Sequence, residues 1–195
     1  MLFLEKISDY VRISKVGGIS RRYFVMNAFD GAMTVLGIVI AAYFSGVHDS
    51  YAIISAGLGA SVAMGVSGFS GAYLTEESEK NMELKRIERS MLKDLRNTVI
   101  GRANRFASIW AALVDGLSPA LAAVLSLVPF LINKANLLSI DMAMKASIGV
   151  SFAIIFSLGV YLGKISEKNL FAHGIKTLFA GIVVAGILFL LNYVI

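Results

Sequence analysis

The chain has 195 residues, 57% of them apolar and only 16% charged, with a mean hydropathy of +0.75 and a formal net charge of +5. A soluble domain of this size carries about a quarter charged residues, so that class is excluded. The absence of cysteine excludes disulfide frameworks, thiolate metal sites and thiol nucleophiles.

Residues 1–18 open the chain. Phe3, Ile7, Tyr10, Val11 and Ser14 share one helical face, with Lys6, Asp9, Arg12 and Lys15 elsewhere. This pattern predicts an amphipathic helix lying in the membrane interface and ended by Gly17-Gly18. No cleavable signal peptide is expected, because the first long apolar run begins after residue 22 and follows the acidic Glu5 and Asp9.

Five stretches then reach the roughly 20 apolar residues that a membrane span needs. The first is 23–46. Asp30 stands eight residues past Arg22, about 12 Å along a helix, and so at membrane depth. Met26 and Met33 flank it at i−4 and i+3, with Asn27 and Thr34 beside the same stripe. One face thus offers carboxylate, thioether, amide and hydroxyl groups, a donor set that suits Fe²⁺ or Mn²⁺ better than Ca²⁺. The competing reading is a protonated Asp bonded to a neighbouring helix, with Met as ordinary packing.

Span two, 50–74, is rich in Gly and Ser, which let helix backbones approach closely. Its Ser67 and Ser70 are candidates to line a polar path. Residues 75–105 form the only strongly charged segment, with no Pro and no Gly before Gly101. They are expected to continue both flanking spans as helix. Glu76→Lys80 reads as an i,i+4 salt bridge, and Glu83 can reach Arg86. Glu79, Met82 and Glu83 share a face, and the two carboxylates are candidate metal-collecting groups.

Span three, 106–132, carries Asp115 ten residues past Arg105, about 15 Å along the helix by the same rise. Its Asp115-Gly116 echoes Asp30-Gly31. Spans four and five are 146–163 and 177–195. One enzyme motif stands against this picture: Gly65-Val66-Ser67-Gly68 matches the G-x-S-G of intramembrane serine proteases, with His173 far along the chain. Ser67 and His173 fall at different depths, whereas a dyad needs hydrogen-bond reach, so no catalytic residue and no enzyme activity are expected.

The basic residues set an orientation. Alternate loops divide them sixteen to two, with only Lys134 and Lys145 on the poorer side. The positive-inside rule puts the N-terminus in the cytosol and the C-terminus outside. Basic residues at membrane boundaries also argue against nucleic acid as a partner. The expected fold is therefore all-α: a polytopic membrane protein of five spans preceded by an interfacial helix, with the lipid bilayer as its partner.

At the level of motifs the chain resembles the vacuolar iron transporter family. Arg22, Val25, Asp30, Gly31 and Thr34 match the family's first span. Its second-span frame reads here Ser67-Gly68-Phe69-Ser70-Gly71-Ala72-Tyr73-Leu74-Thr75, followed by Ser78. Gly116 and Pro119 match span three, and Gly181 and Ala185 match span five. The resemblance implies a homodimer whose two first spans line a shared pathway, with Asp30 as the metal and proton site. It implies Fe²⁺ or Mn²⁺ as transported substrate exchanged for protons, with no tightly bound cofactor. The family's Met and Glu in span two are Gly68 and Ala72 here, its cytosolic helices are shortened to residues 75–105, and Asp115 is a candidate replacement carboxylate. Two other readings compete: a proton-coupled transporter or channel for a non-metal solute, and a non-transporting scaffold subunit. The expected address is the plasma membrane of a prokaryote, or the vacuolar membrane of a eukaryote.

Overall fold

A computed structural model describes residues 2–194, with side chains from residue 7 onward. The side chains of Phe3, Glu5 and Lys6, and residue Ile195, lie outside the described set. Six helices follow one another: α1 (Leu2–Ser14), α2 (Val16–Phe44), α3 (Ser50–Met91), α4 (Val99–Lys134), α5 (Ile140–Ile165) and α6 (Leu170–Val194). No strand occurs among the described residues. Helices α2 to α6 are each long and apolar enough to cross a bilayer. The chain is a multi-pass helical membrane protein.

The end of the first helix departs from the sequence reading. The break between α1 and α2 falls at Lys15, which adopts a left-handed φ of 54°. Gly17 and Gly18 sit inside the first turn of α2, where glycine costs less than it would in a helix interior. Ser14 Oγ donates to Tyr10 O at 2.6 Å and closes the last turn of α1.

The charged segment behaves as its lack of breakers suggests. At 42 residues, α3 is about 63 Å long, twice the hydrocarbon thickness, so its charged C-terminal half stands clear of the apolar layer. Leu92, with φ of 49°, ends it. The turn to α4 is tied by side chains: Glu88 Oε1 accepts from Leu95 N, and Asp94 Oδ1 accepts from Arg96 N, both at 2.9 Å.

The chain forms two compact units, Met1–Phe24 with Gly65–Leu117, and Val25–Met64 with Ser118–Ile195. In the first, Val16, Ala107 and Ala111 are buried together with Val11, Ile19 and Tyr23 packed on them. Tyr10 packs its ring on Phe106 at 5.8 Å. Here α3 and α4 cross at two glycines. A Cβ on Gly116 would stand 2.7 Å from Gly65 O, and one on Gly65 would stand 3.0 Å from Gly116 O. Close backbone approach therefore accounts for Gly65 of the protease-like motif.

The second unit holds the larger core. Val35, Val39, Ile53, Leu127, Phe130 and Met144 form one buried cluster. Val25, Ala32, Leu36, Ala122, Ile155 and Leu158 form another, with Ala185 packed against it. A Cβ on Gly31 would run into the backbone of Pro119, so α2 and α4 touch there with nothing between them. Gly181 seats Phe152 in the same way, with 2.7 Å left for a Cβ.

Candidate functional site

Two groups of polar residues lie on the spanning helices, one in each unit. In the second unit Asp30 is exposed on α2. Met26, one turn earlier, is 57% exposed, and Asn27 and Met33 are half-buried. The stripe anticipated from the sequence therefore presents Asp30 and Met26 on the surface of the single chain. Met33 turns inward against the cluster of Val25, Leu36 and Ile155. Thr34 also turns inward: its Oγ1 donates to Met64 Sδ at 3.5 Å. Of the five anticipated groups, the outward face keeps the carboxylate and one thioether.

The first unit holds a second set of carboxylates. Asp115 on α4 is 7% exposed, and Glu76 on α3 is 3% exposed. Tyr23 donates its hydroxyl to Glu76 Oε1 at 2.9 Å, and its phenol lies in the field of both carboxylates. Asp115 Oδ2 sits 2.7 Å from where a Cβ on Gly68 would stand. The absence of a side chain on Gly68 thus leaves the room that Asp115 fills.

Glu76 was not anticipated as a site residue. It read as half of a surface salt bridge with Lys80, but that pair does not form. Glu76 turns to Tyr23, and Lys80 Nζ pairs with Glu83 Oε2 at 2.9 Å while reaching Ser14 O at 3.5 Å. The Glu83–Arg86 pair is replaced by that same Lys80 contact. A signal was present: Glu76 follows Ala72 and precedes Lys80 and Leu84 on one i,i+4 stripe, all four at least half-buried.

The remaining candidates are on the surface. Glu79, Met82 and Glu83 are exposed along the extension of α3, and Glu79 forms no ion pair among the described residues. Ser67 and Ser70 are exposed on α3. Among the described residues no three His, Asp or Glu side chains come together as a metal site. The two Asp-Gly pairs share a packing role through Gly31 and Gly116, but their carboxylates differ, Asp30 exposed and Asp115 buried.

The chain is similar to the uncharacterized protein MJ0645 of Methanocaldococcus jannaschii. The two are 36% identical over 174 residues, which cover 88% of this chain and 87% of that one. No protein-family model matches the chain.

Proposed function

The chain belongs to the same family as MJ0645, and from its own residues we propose that it carries a divalent transition-metal cation, Fe²⁺ or Mn²⁺, across the membrane in exchange for protons. The observation that carries this reading is Asp30, a carboxylate exposed on an apolar spanning helix with the Met26 thioether beside it. A charged residue facing hydrocarbon at a helix centre costs about 2.5–3.5 kcal/mol even on the lenient insertion scale. That cost is removed if Asp30 faces a second copy of the chain across a shared pathway.

In such a dimer the two Asp30 carboxylates and two Met26 thioethers combine hard oxygen and soft sulfur. This combination suits a mid-series divalent cation. A carboxylate at membrane depth can hold either a proton or a share of a cation, and alternation between them is the physical basis of exchange. Asp115 and Glu76, buried with Tyr23, supply further titratable oxygen in each copy. The N-in, C-out orientation follows from the basic residues, and it puts the charged extension of α3 on the cytosolic side, where Glu79 and Glu83 meet incoming cations.

Uptake into proteoliposomes loaded with a metal-quenched dye tests the proposal. Fe²⁺ or Mn²⁺ should enter with wild-type protein and fail to enter with Asp30→Asn. Equal flux in both would remove Asp30 from the pathway. Folded, dimeric protein that moves no divalent cation would overturn the metal reading, and non-metal solutes would then be screened.

A further inference from the structure

A cavity of about 370 Å³ lies wholly within the first unit, where α3 and α4 run on past their apolar stretches. Four cations line it, Lys80, Lys85, Arg96 and Arg105, against the two carboxylates Glu77 and Glu88. Both carboxylates are engaged. Glu88 Oε1 accepts from Leu95 N at 2.9 Å, and Glu77 Oε1 accepts from the Tyr73 hydroxyl at 3.3 Å. Lys80 is balanced by Glu83. Among the described residues Lys85, Arg96 and Arg105 form no ion pair.

Set against Glu77 and Glu88, Lys85, Arg96 and Arg105 still leave the cavity with an excess of positive charge, and an anion entering it relieves their mutual repulsion. The guanidinium forks of Arg96 and Arg105 suit the tetrahedral oxygens of a phosphate. The first turn of α4, where Gly101 lines the wall, adds the positive end of a helix dipole. Depth matters as well. Arg105 directly precedes Phe106, whose ring stacks on Trp110 at 6.0 Å, and aromatic residues at span ends mark the headgroup layer.

We propose that this cavity is a binding site for a phosphate-bearing anion at the membrane boundary. The same chemistry is offered by an anionic phospholipid headgroup and by free phosphate. Trp110 is the chain's single tryptophan and stacks on Phe106, the residue after Arg105, so its emission serves as the reporter nearest the site. The full-length protein in neutral detergent is titrated with short-chain phosphatidylglycerol and, separately, with inorganic phosphate.

Saturable change in Trp110 emission is expected with at least one probe. Saturation by the lipid alone identifies a headgroup site, and saturation by phosphate identifies a free-anion site. The double variant Lys85→Gln/Arg96→Gln should weaken that binding at least tenfold. Arg12→Gln/Arg86→Gln removes the same charge away from the cavity and should leave it within twofold. Unchanged circular dichroism of both variants would show that they fold. Absence of saturation with both probes, or equal weakening by the two double variants, would overturn the proposal.

Discussion

The carboxylate of Asp115 takes the place that a side chain at position 68 would need: Oδ2 lies 2.7 Å from an ideal Cβ on Gly68. Real Cβ atoms do not tolerate that distance, so Gly68→Ala makes the Asp115 carboxylate swing aside. A side-chain end can yield where backbone cannot, which puts the cost at the low end of the overpacking range of about 1–3 kcal/mol. Thermal unfolding in detergent should show the loss for Gly68→Ala, and Asp115→Ala should recover most of it in the double variant. Additive effects of the two changes would contradict the fit.

Tyr23 and Glu76 are 53 positions apart and joined by one hydrogen bond in a buried setting. Removing the donor leaves the carboxylate to find another, at a cost of about 1–3 kcal/mol. Tyr23→Phe should therefore lower the temperature at which the protein loses its monodisperse gel-filtration peak. Glu79→Gln, on the exposed extension, should leave that temperature unchanged.

Gly31 and Gly17 make a matched pair on α2. A methyl at Gly31 meets the backbone of Pro119, which cannot retreat as a flexible side chain can, whereas nothing lies within 4 Å of Gly17. Gly31→Ala should sharply reduce the yield of folded protein, while Gly17→Ala should express like wild type. Equal yields would mean that α2 does not press on α4 at Pro119.

The shared pathway makes a geometric prediction. The chain has no cysteine, so a single introduced thiol is unambiguous. Met26→Cys, beside Asp30, should form a disulfide-linked dimer in oxidised membranes, since two copies of α2 face each other in the proposed assembly. Phe179→Cys on α6 is 66% exposed in the single chain and serves as the control that should stay monomeric. A Met26→Cys chain that never cross-links would count against a pathway between copies.

What was legible in the sequence divides along physical lines. Span number and helical character rest on runs of apolar residues, and such runs need no knowledge of partners. The helical continuation beyond Leu74 was readable because no Pro or Gly interrupts it. The break at Lys15 was not, because Gly17-Gly18 is the stronger breaker by composition, yet a helix accepts glycines in its first turn. Glu76 looked like half of a local salt bridge, and only the folded chain brings Tyr23 to it. Thr34 shared a helical stripe with Asp30, but its hydroxyl found Met64 and turned from the outward face. Asp115 was identified as a membrane carboxylate, while its fit against Gly68 depends on the crossing of α3 and α4 and so could not be read from either helix alone.

The central claim is exchange at Asp30, and the most direct measurement reads both ions in one vesicle. Proteoliposomes carrying a metal-quenched dye and a pH dye inside are given external Mn²⁺ with no imposed pH gradient. The account predicts that Mn²⁺ entry is accompanied by rise of internal pH, and that Asp30→Asn abolishes both signals together. Mn²⁺ entry with no change of internal pH, or paired signals that persist in Asp30→Asn, would contradict it.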